Sequence, residues 1–240
     1  MSLAEYEERL KKNVNQQMEG KAPVELIIDS FKDHWAFKDI EVKQTLTREL
    51  MFDGIFLVER EDMSEEIKDV DLRSDESYDD RLAGRLVDTP ALMLLGILYC
   101  RSNRRQRAEK FFELLDPEKD GYMKDTDKDL QAYVPHIYEI CYKLMFRLYE
   151  RHRDQAPGEN GGPPLQPEIE INKYLTTNYE LDTNLKAKFT SRFSGQLFQA
   201  MHKLDKERFV VRLEKNVFNL LQPHDIRNKA YEKYMETNPE

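Results

Sequence analysis

Between Asp116 and Asp127 four carboxylates recur at a spacing suited to holding a hard cation. In Asp116-Pro-Glu-Lys-Asp-Gly-Tyr-Met-Lys-Asp-Thr-Asp127 the side chains of Asp116, Glu118, Asp120 and Asp127 occupy positions 1, 3, 5 and 12. Tyr122, at position 7, offers its main-chain carbonyl. A tight loop sends alternate side chains toward its centre, so the first three acids converge and the last arrives from the exiting helix. Gly121 stands at position 6, where the backbone must turn sharply and a Cβ would be strained. Met123, at position 8, is the apolar residue that joins a short strand to a partner loop. This is the donor set of Ca²⁺, which takes about 6–8 oxygens.

The pattern is that of an EF-hand loop, with three departures. Glu118 is longer than the usual Asp or Asn at position 3. Asp127 is one methylene shorter than the usual Glu at position 12 and clamps less well with both oxygens, which weakens Ca²⁺ and relatively favours Mg²⁺. Lys124 places a cation at position 9. An acidic helix-connecting turn without metal is the competing reading.

Elements around the loop must position it. Ala108, Phe111, Phe112 and Leu115 follow a helical spacing and predict the entering helix. Leu130, Val134, Ile137, Cys141, Leu144, Met145 and Leu148 predict the exiting one from about Thr126, with Pro135 expected to kink or divide it. Asp88 or Thr89 caps a preceding apolar helix, with Pro90 at its first position. That helix breaks at Ser102-Asn103. The basic cluster Arg101, Arg104, Arg105 and Arg107 then reads as a solvated helix start or an anion contact.

Elsewhere the chain divides by composition. Residues 1–58 form an N-terminal helical region, with a solvated or docking helix over 4–18, a stronger one opened by Pro23, and another at about 39–50. Residues 59–80 are an acidic connector with eleven acidic side chains against three basic ones; such a segment is more often solvated than docked. Residues 81–153 form the region that contains the loop. Residues 154–168 are a Pro/Gly-rich loop. Residues 169–240 are a C-terminal helical region, with helices expected over 185–204 and 214–221 and a short β-prone run at Phe209-Val210-Val211.

The chain has 240 residues, 9 glycines and a net charge of −9. Scarce glycine favours long helices, and the negative charge disfavours nucleic-acid partners. Cys100 and Cys141 sit in apolar helical patterns and read as free thiols in a reducing, cytoplasmic setting. No apolar run is long enough to span a membrane. The N-terminus has no secretory apolar core and no myristoylation signal. His34, His136, His152, His202 and His224 form no metal or catalytic spacing, and no phosphate-cradling or nucleophile motif occurs, so the expectation is a protein that is not an enzyme.

From Leu94-Leu-Gly-Ile-Leu-Tyr-Cys100, through Glu113-Leu-Leu-Asp116 and the loop, to Ile137-Tyr-Glu-Ile140, the chain resembles the neuronal calcium sensor and calcineurin B-like branch of the EF-hand superfamily. The resemblance covers about fifty residues. It implies an all-α fold of paired helix-loop-helix units, here with extra N-terminal helices. It also implies further hands that are degenerate. In one, at 80–91, Val87 takes the position-8 role; another, at 198–221, pairs Val210 or Val211 with Met123; segment 36–60 is the weakest. The function implied is that of a calcium-binding regulatory or adaptor protein that receives an amphipathic helix in an apolar groove. A metal-free structural scaffold and a helical enzyme subunit are the alternatives.

Overall fold

The computed structural model describes residues 1–12, 20–31, 56–58, 85–141, 179–226 and 232. Helix makes up 71% of the residues described, and the strands among them form two small sheets. The expected acidic connector, the Pro/Gly-rich loop and the helix at about 39–50 lie outside the described residues. The chain divides into two compact units, Met1–Met93 and Leu94–Glu240.

In the first unit, α1 (Leu3–Lys11) opens with a capping box: Ser2 accepts from the Glu5 amide while the Glu5 carboxylate takes the Ser2 amide. The segment reads as a solvated or docking helix, and Leu3, Tyr6 and Leu10 are buried. Their spacing of three and four makes one narrow stripe. Tyr6 packs its ring against Phe31, with centroids 5.2 Å apart, and its hydroxyl donates to the Leu92 carbonyl at 2.9 Å. The strand β1 (Lys21–Pro23) follows, so Pro23 ends a strand and α2 (Val24–Phe31) starts just after it. The two-residue β2 (Leu57–Val58) and β1 flank β3 (Leu86–Asp88) in the order β1-β3-β2, all antiparallel. Val87 pairs with Ala22, and both are fully buried. Val87 thus takes the strand role read from sequence, with residues 21–23 as the longer of its two partners.

The helix α3 (Thr89–Tyr99) crosses the division between the units. Asp88 caps it by accepting from the Ala91 amide at 3.0 Å. In the second unit, α4 (Arg104–Leu115) begins at Asn103, whose side chain and that of Gln106 form a second capping box. After α4 come β4 (Tyr122–Lys124), α5 (Lys128–Glu139), α6 (Tyr179–Phe198), β5 (Lys203–Asp205) and α7 (Lys206–Arg212). The chain winds on as a π-helical turn at Leu213–Val217 and a 3₁₀ turn at Phe218–Leu221. Helix α5 runs through Pro135 without dividing.

The core of this unit is aromatic. The Phe112 and Phe209 rings meet edge to face at 5.1 Å, and those of Phe111 and Phe193 at 5.9 Å. All four rings are almost fully buried, each worth about 2–3 kcal/mol relative to exposure. They tie α4 to α6 and α7, the helices on either side of β5.

The expected β-prone run at Phe209-Val210-Val211 is helical. The Asp205 side chain accepts from the Arg208 amide at 2.8 Å, which starts α7 before the run is reached. The helix expected over 185–204 ends at Phe198 instead. Gln199 and Ala200 then take left-handed conformations (φ 47° and 65°) that turn the chain into β5.

Candidate functional site

The twelve residues from Asp116 form a closed loop between α4 and α5. Asp116 is the C-cap of α4, where its amide still donates to the Phe112 carbonyl at 3.0 Å. Its carboxylate turns inward and gathers the loop around itself. Oδ1 accepts from the Asp120 amide and Oδ2 from the Gly121 amide, each at 3.0 Å. Two positive φ angles make this possible, 57° at Lys119 and 79° at Gly121. No atom stands within 4 Å of the place a Gly121 Cβ would occupy. The need for glycine there comes from the backbone angle alone.

Two of the other expected ligands also accept a loop amide, each with one oxygen. Asp120 Oδ1 accepts from the Tyr122 amide at 2.8 Å. Asp127, the N-cap of α5, sends Oδ2 back to the Lys124 amide at 2.6 Å. Glu118 is exposed. Among the described residues no group of three or more His, Cys, Asp or Glu side chains stands close enough together to hold a metal ion. The sequence-derived set Asp116, Glu118, Asp120, Tyr122 and Asp127 therefore shares one loop without converging on a point.

The donor chemistry still fits a hard divalent cation: four carboxylates and a peptide carbonyl, with no soft atom among them. The backbone is already wound around the first acid. Each carboxylate oxygen keeps a second lone pair, so accepting a loop amide does not by itself bar a cation.

A second loop clamps the first. β4 and β5 pair antiparallel, with Tyr122 opposite Asp205, Met123 opposite Leu204 and Lys124 opposite Lys203. Met123 and Leu204 are buried, filling the centre of the bridge. The expected partners Val210 and Val211 are displaced, because α7 has already begun. The Lys206 amide donates to the Gly121 carbonyl at 3.1 Å, and the Asp125 amide to the His202 carbonyl at 3.3 Å. Side chains add to this: His202 Nδ1 lies 2.9 Å from Asp125 Oδ2, and the Lys203 ammonium sits 3.8 Å over the centre of the Tyr122 ring. Lys206 Nζ reaches Glu113 on α4 at 3.3 Å. Burial pushes the Glu113 carboxyl up, but Lys110 and Lys206 outweigh this and hold it below its ordinary value. An open cleft of about 610 Å³ lies between the loops, lined by Asp120, Gly121, Tyr122, Asp205, Lys206, Glu207 and Arg208.

Two features of this unit have roles that the sequence did not show. The arginine cluster is structural in part: Arg107 donates to the Leu98 and Cys100 carbonyls at 3.3 and 3.1 Å, closing the end of α3. Arg104 stacks on Phe218 at 4.7 Å. The second is Glu139 at the end of α5, which accepts from His136 Nδ1 at 2.9 Å and from Lys186 on α6. Burial pushes its carboxyl up, yet the hydrogen bonds and charges of His136 and Lys186 prevail and hold it at about 2. No sequence signal links residues 139 and 186; only the fold brings them together.

Comparison with protein-family models, curated proteins and solved structures finds no match to this chain.

Proposed function

We propose that this chain is a paired helix-loop-helix protein of EF-hand type, with a weak divalent-cation loop at 116–127 and a regulatory or adaptor role toward a protein partner. The observation that carries the reading is the bridged pair of loops. Met123 and Leu204 meet in a short antiparallel bridge, each followed by a helix, and the first loop winds around the Asp116 carboxylate.

Asp116, Glu118, Asp120, the Tyr122 carbonyl and Asp127 are the groups that would hold the ion. A bound cation supplies charge neutralisation among these acids. Asp116 closes α4 and Asp127 opens α5, so these two residues are where the loop sets the angle between the helices. Few large apolar side chains are exposed among the described residues: Leu26, Tyr99 and Tyr122. The proposed groove for an amphipathic helix would be shaped by a changed helix angle. The short acid at position 12 and Lys124 at position 9 put the affinity at about 10⁻⁴ M or weaker. Calorimetric titration with Ca²⁺ and with Mg²⁺ tests this. Heat that disappears in Asp116→Ala supports the cation loop, and no heat with either ion removes it.

A second reading keeps the pair of loops and drops the ion. Asp116 accepts an amide with each of its oxygens, and these bonds turn the loop by themselves. On this reading the chain is a constitutive scaffold subunit.

A further inference from the structure

One hydrogen-bonded arrangement is built twice, once in each unit. In the second unit Gly121 turns the chain at a φ of 79°, and Met123, two residues on, pairs with Leu204. The Gly121 carbonyl accepts from the amide of Lys206, the first residue of α7, at 3.1 Å. In the first unit Gly20 turns the chain at a φ of 81°, and Ala22, two residues on, pairs with Val87. The Gly20 carbonyl accepts from the amide of Thr89, the first residue of α3, at 2.9 Å. The flanking bonds match as well. The Asp125 amide donates to the His202 carbonyl at 3.3 Å, and the Val24 amide to the Arg85 carbonyl at 3.0 Å. Asp205 caps α7 by accepting from Arg208, and Asp88 caps α3 by accepting from Ala91. Of these matched residues only the glycines and the capping aspartates are the same in both copies.

The copies differ in how firmly the glycine carbonyl is held. Thr89 is buried, and its hydroxyl donates to the Gly20 carbonyl alongside its amide, so both lone pairs of that oxygen are used. Pro90 backs the turn: a Cβ on Gly20 would stand 3.4 Å from two atoms of its ring. Lys206 is exposed and sends its ammonium to Glu113, and no atom stands beside Gly121. The helices differ in the same sense. Helix α3 has 11 residues, whereas α7 has 7 and then changes to a π turn, a winding found where helices yield.

We infer that this bond is a cross-tie, a conformational device that couples the glycine turn before one strand to the start of the helix after the partner strand, locked in the first unit and yielding in the second. The first amides of a helix have no partner within it, so the glycine carbonyl supplies one that the helix start otherwise lacks. Turning the Gly121 peptide therefore takes a partner from α7 or pulls its first residue along. In the first unit the threonine hydroxyl and the proline ring hold the turn and α3 together. The helix that responds to a disturbed loop is α7. The device works whether or not 116–127 takes a cation, so it stands or falls apart from that reading.

The test is native-state hydrogen exchange of the full chain in chelator, read amide by amide, for the wild type and for T89V, K206T and G121A. In the wild type the Thr89 amide should be at least about tenfold better protected than that of Lys206. T89V removes the hydroxyl and keeps the branched shape, and should speed exchange of its own amide about three- to tenfold. K206T supplies the hydroxyl that the second copy lacks and should slow exchange at 206 by a similar factor. G121A strains the turn and should speed exchange at Lys206 while leaving Thr89 unchanged. Equal protection of the two amides, or no slowing in K206T, overturns the lock. A Lys206 amide that keeps its rate in G121A overturns the cross-tie. Position 206 is exposed, so K206T decides the role of the hydroxyl even where T89V fails to fold.

Discussion

Replacing Asp116 by alanine should destabilise the protein in the absence of any cation. The side chain organises the loop by accepting two amides, from Asp120 and Gly121, at 3.0 Å each. Hydrogen bonds to a charged group contribute about 1.5–3 kcal/mol when desolvated. The Asp120 bond is exposed and the Gly121 bond half-buried, so water recovers much of each. The net loss expected is about 1–2 kcal/mol, or a fall of about 2–8 °C in Tm for a chain of this size. Asp116→Asn keeps one acceptor and should lose about half as much. The assay is urea unfolding in chelator, read as a lower midpoint at unchanged slope. With excess Ca²⁺ the gap between wild type and D116A should widen by about 1.4 kcal/mol for ion at ten times its Kd. A loss below about 0.5 kcal/mol in chelator would refute the claim that this carboxylate shapes the loop.

Four further outcomes follow from the geometry. Gly121→Ala should cost about 1–2 kcal/mol in chemical denaturation, from its φ of 79° alone, since nothing obstructs the new methyl group. Ala200→Gly should stabilise by up to about 1 kcal/mol, because the left-handed φ of 65° there suits glycine. Leu204→Ala, at a fully buried position in the bridge, should cost about 2–4 kcal/mol and speed exchange of the Met123 amide. Glu139 has a folded pKa lowered to about 2 from 4.5. Its contribution is therefore present above the unfolded value and is lost as pH falls from about 5 to 2. After discounting for partial exposure this amounts to about 2 kcal/mol. Glu139→Gln should flatten that part of the stability–pH curve.

Local signals in the sequence read well wherever the physics was local. The spacing of Ala108, Phe111, Phe112 and Leu115 describes the buried face of α4. Asp88, Asn103 and Gly121 mark a cap, a break and a turn because each satisfies a backbone requirement within a few residues. The position-8 apolar residues Val87 and Met123 both lie in short strands. Failures came where context outweighed propensity. Phe209-Val210-Val211 carries β-prone side chains, but the Asp205 cap and the edge-to-face contact of Phe112 with Phe209 favour helix. The helix over 4–18 reads as solvated or docking, but what it docks on is not local: Tyr6 finds Phe31 and the Leu92 carbonyl far along the chain. The ligand set was legible as a list of oxygens. That they turn to their own amides was not, because a spacing rule says where side chains start and not which donors reach them first.

The most direct measurement of the cation loop is a Ca²⁺ titration followed through the backbone amides by ¹H–¹⁵N spectroscopy. Saturable shifts should concentrate at Asp120, Gly121 and Tyr122, whose amides now serve the carboxylates, and at Lys206, whose amide holds the Gly121 carbonyl. The amides of Ala22 and Val87 in the other sheet should stay still. Shifts absent from the loop at millimolar Ca²⁺, or spread evenly over both sheets, would contradict it.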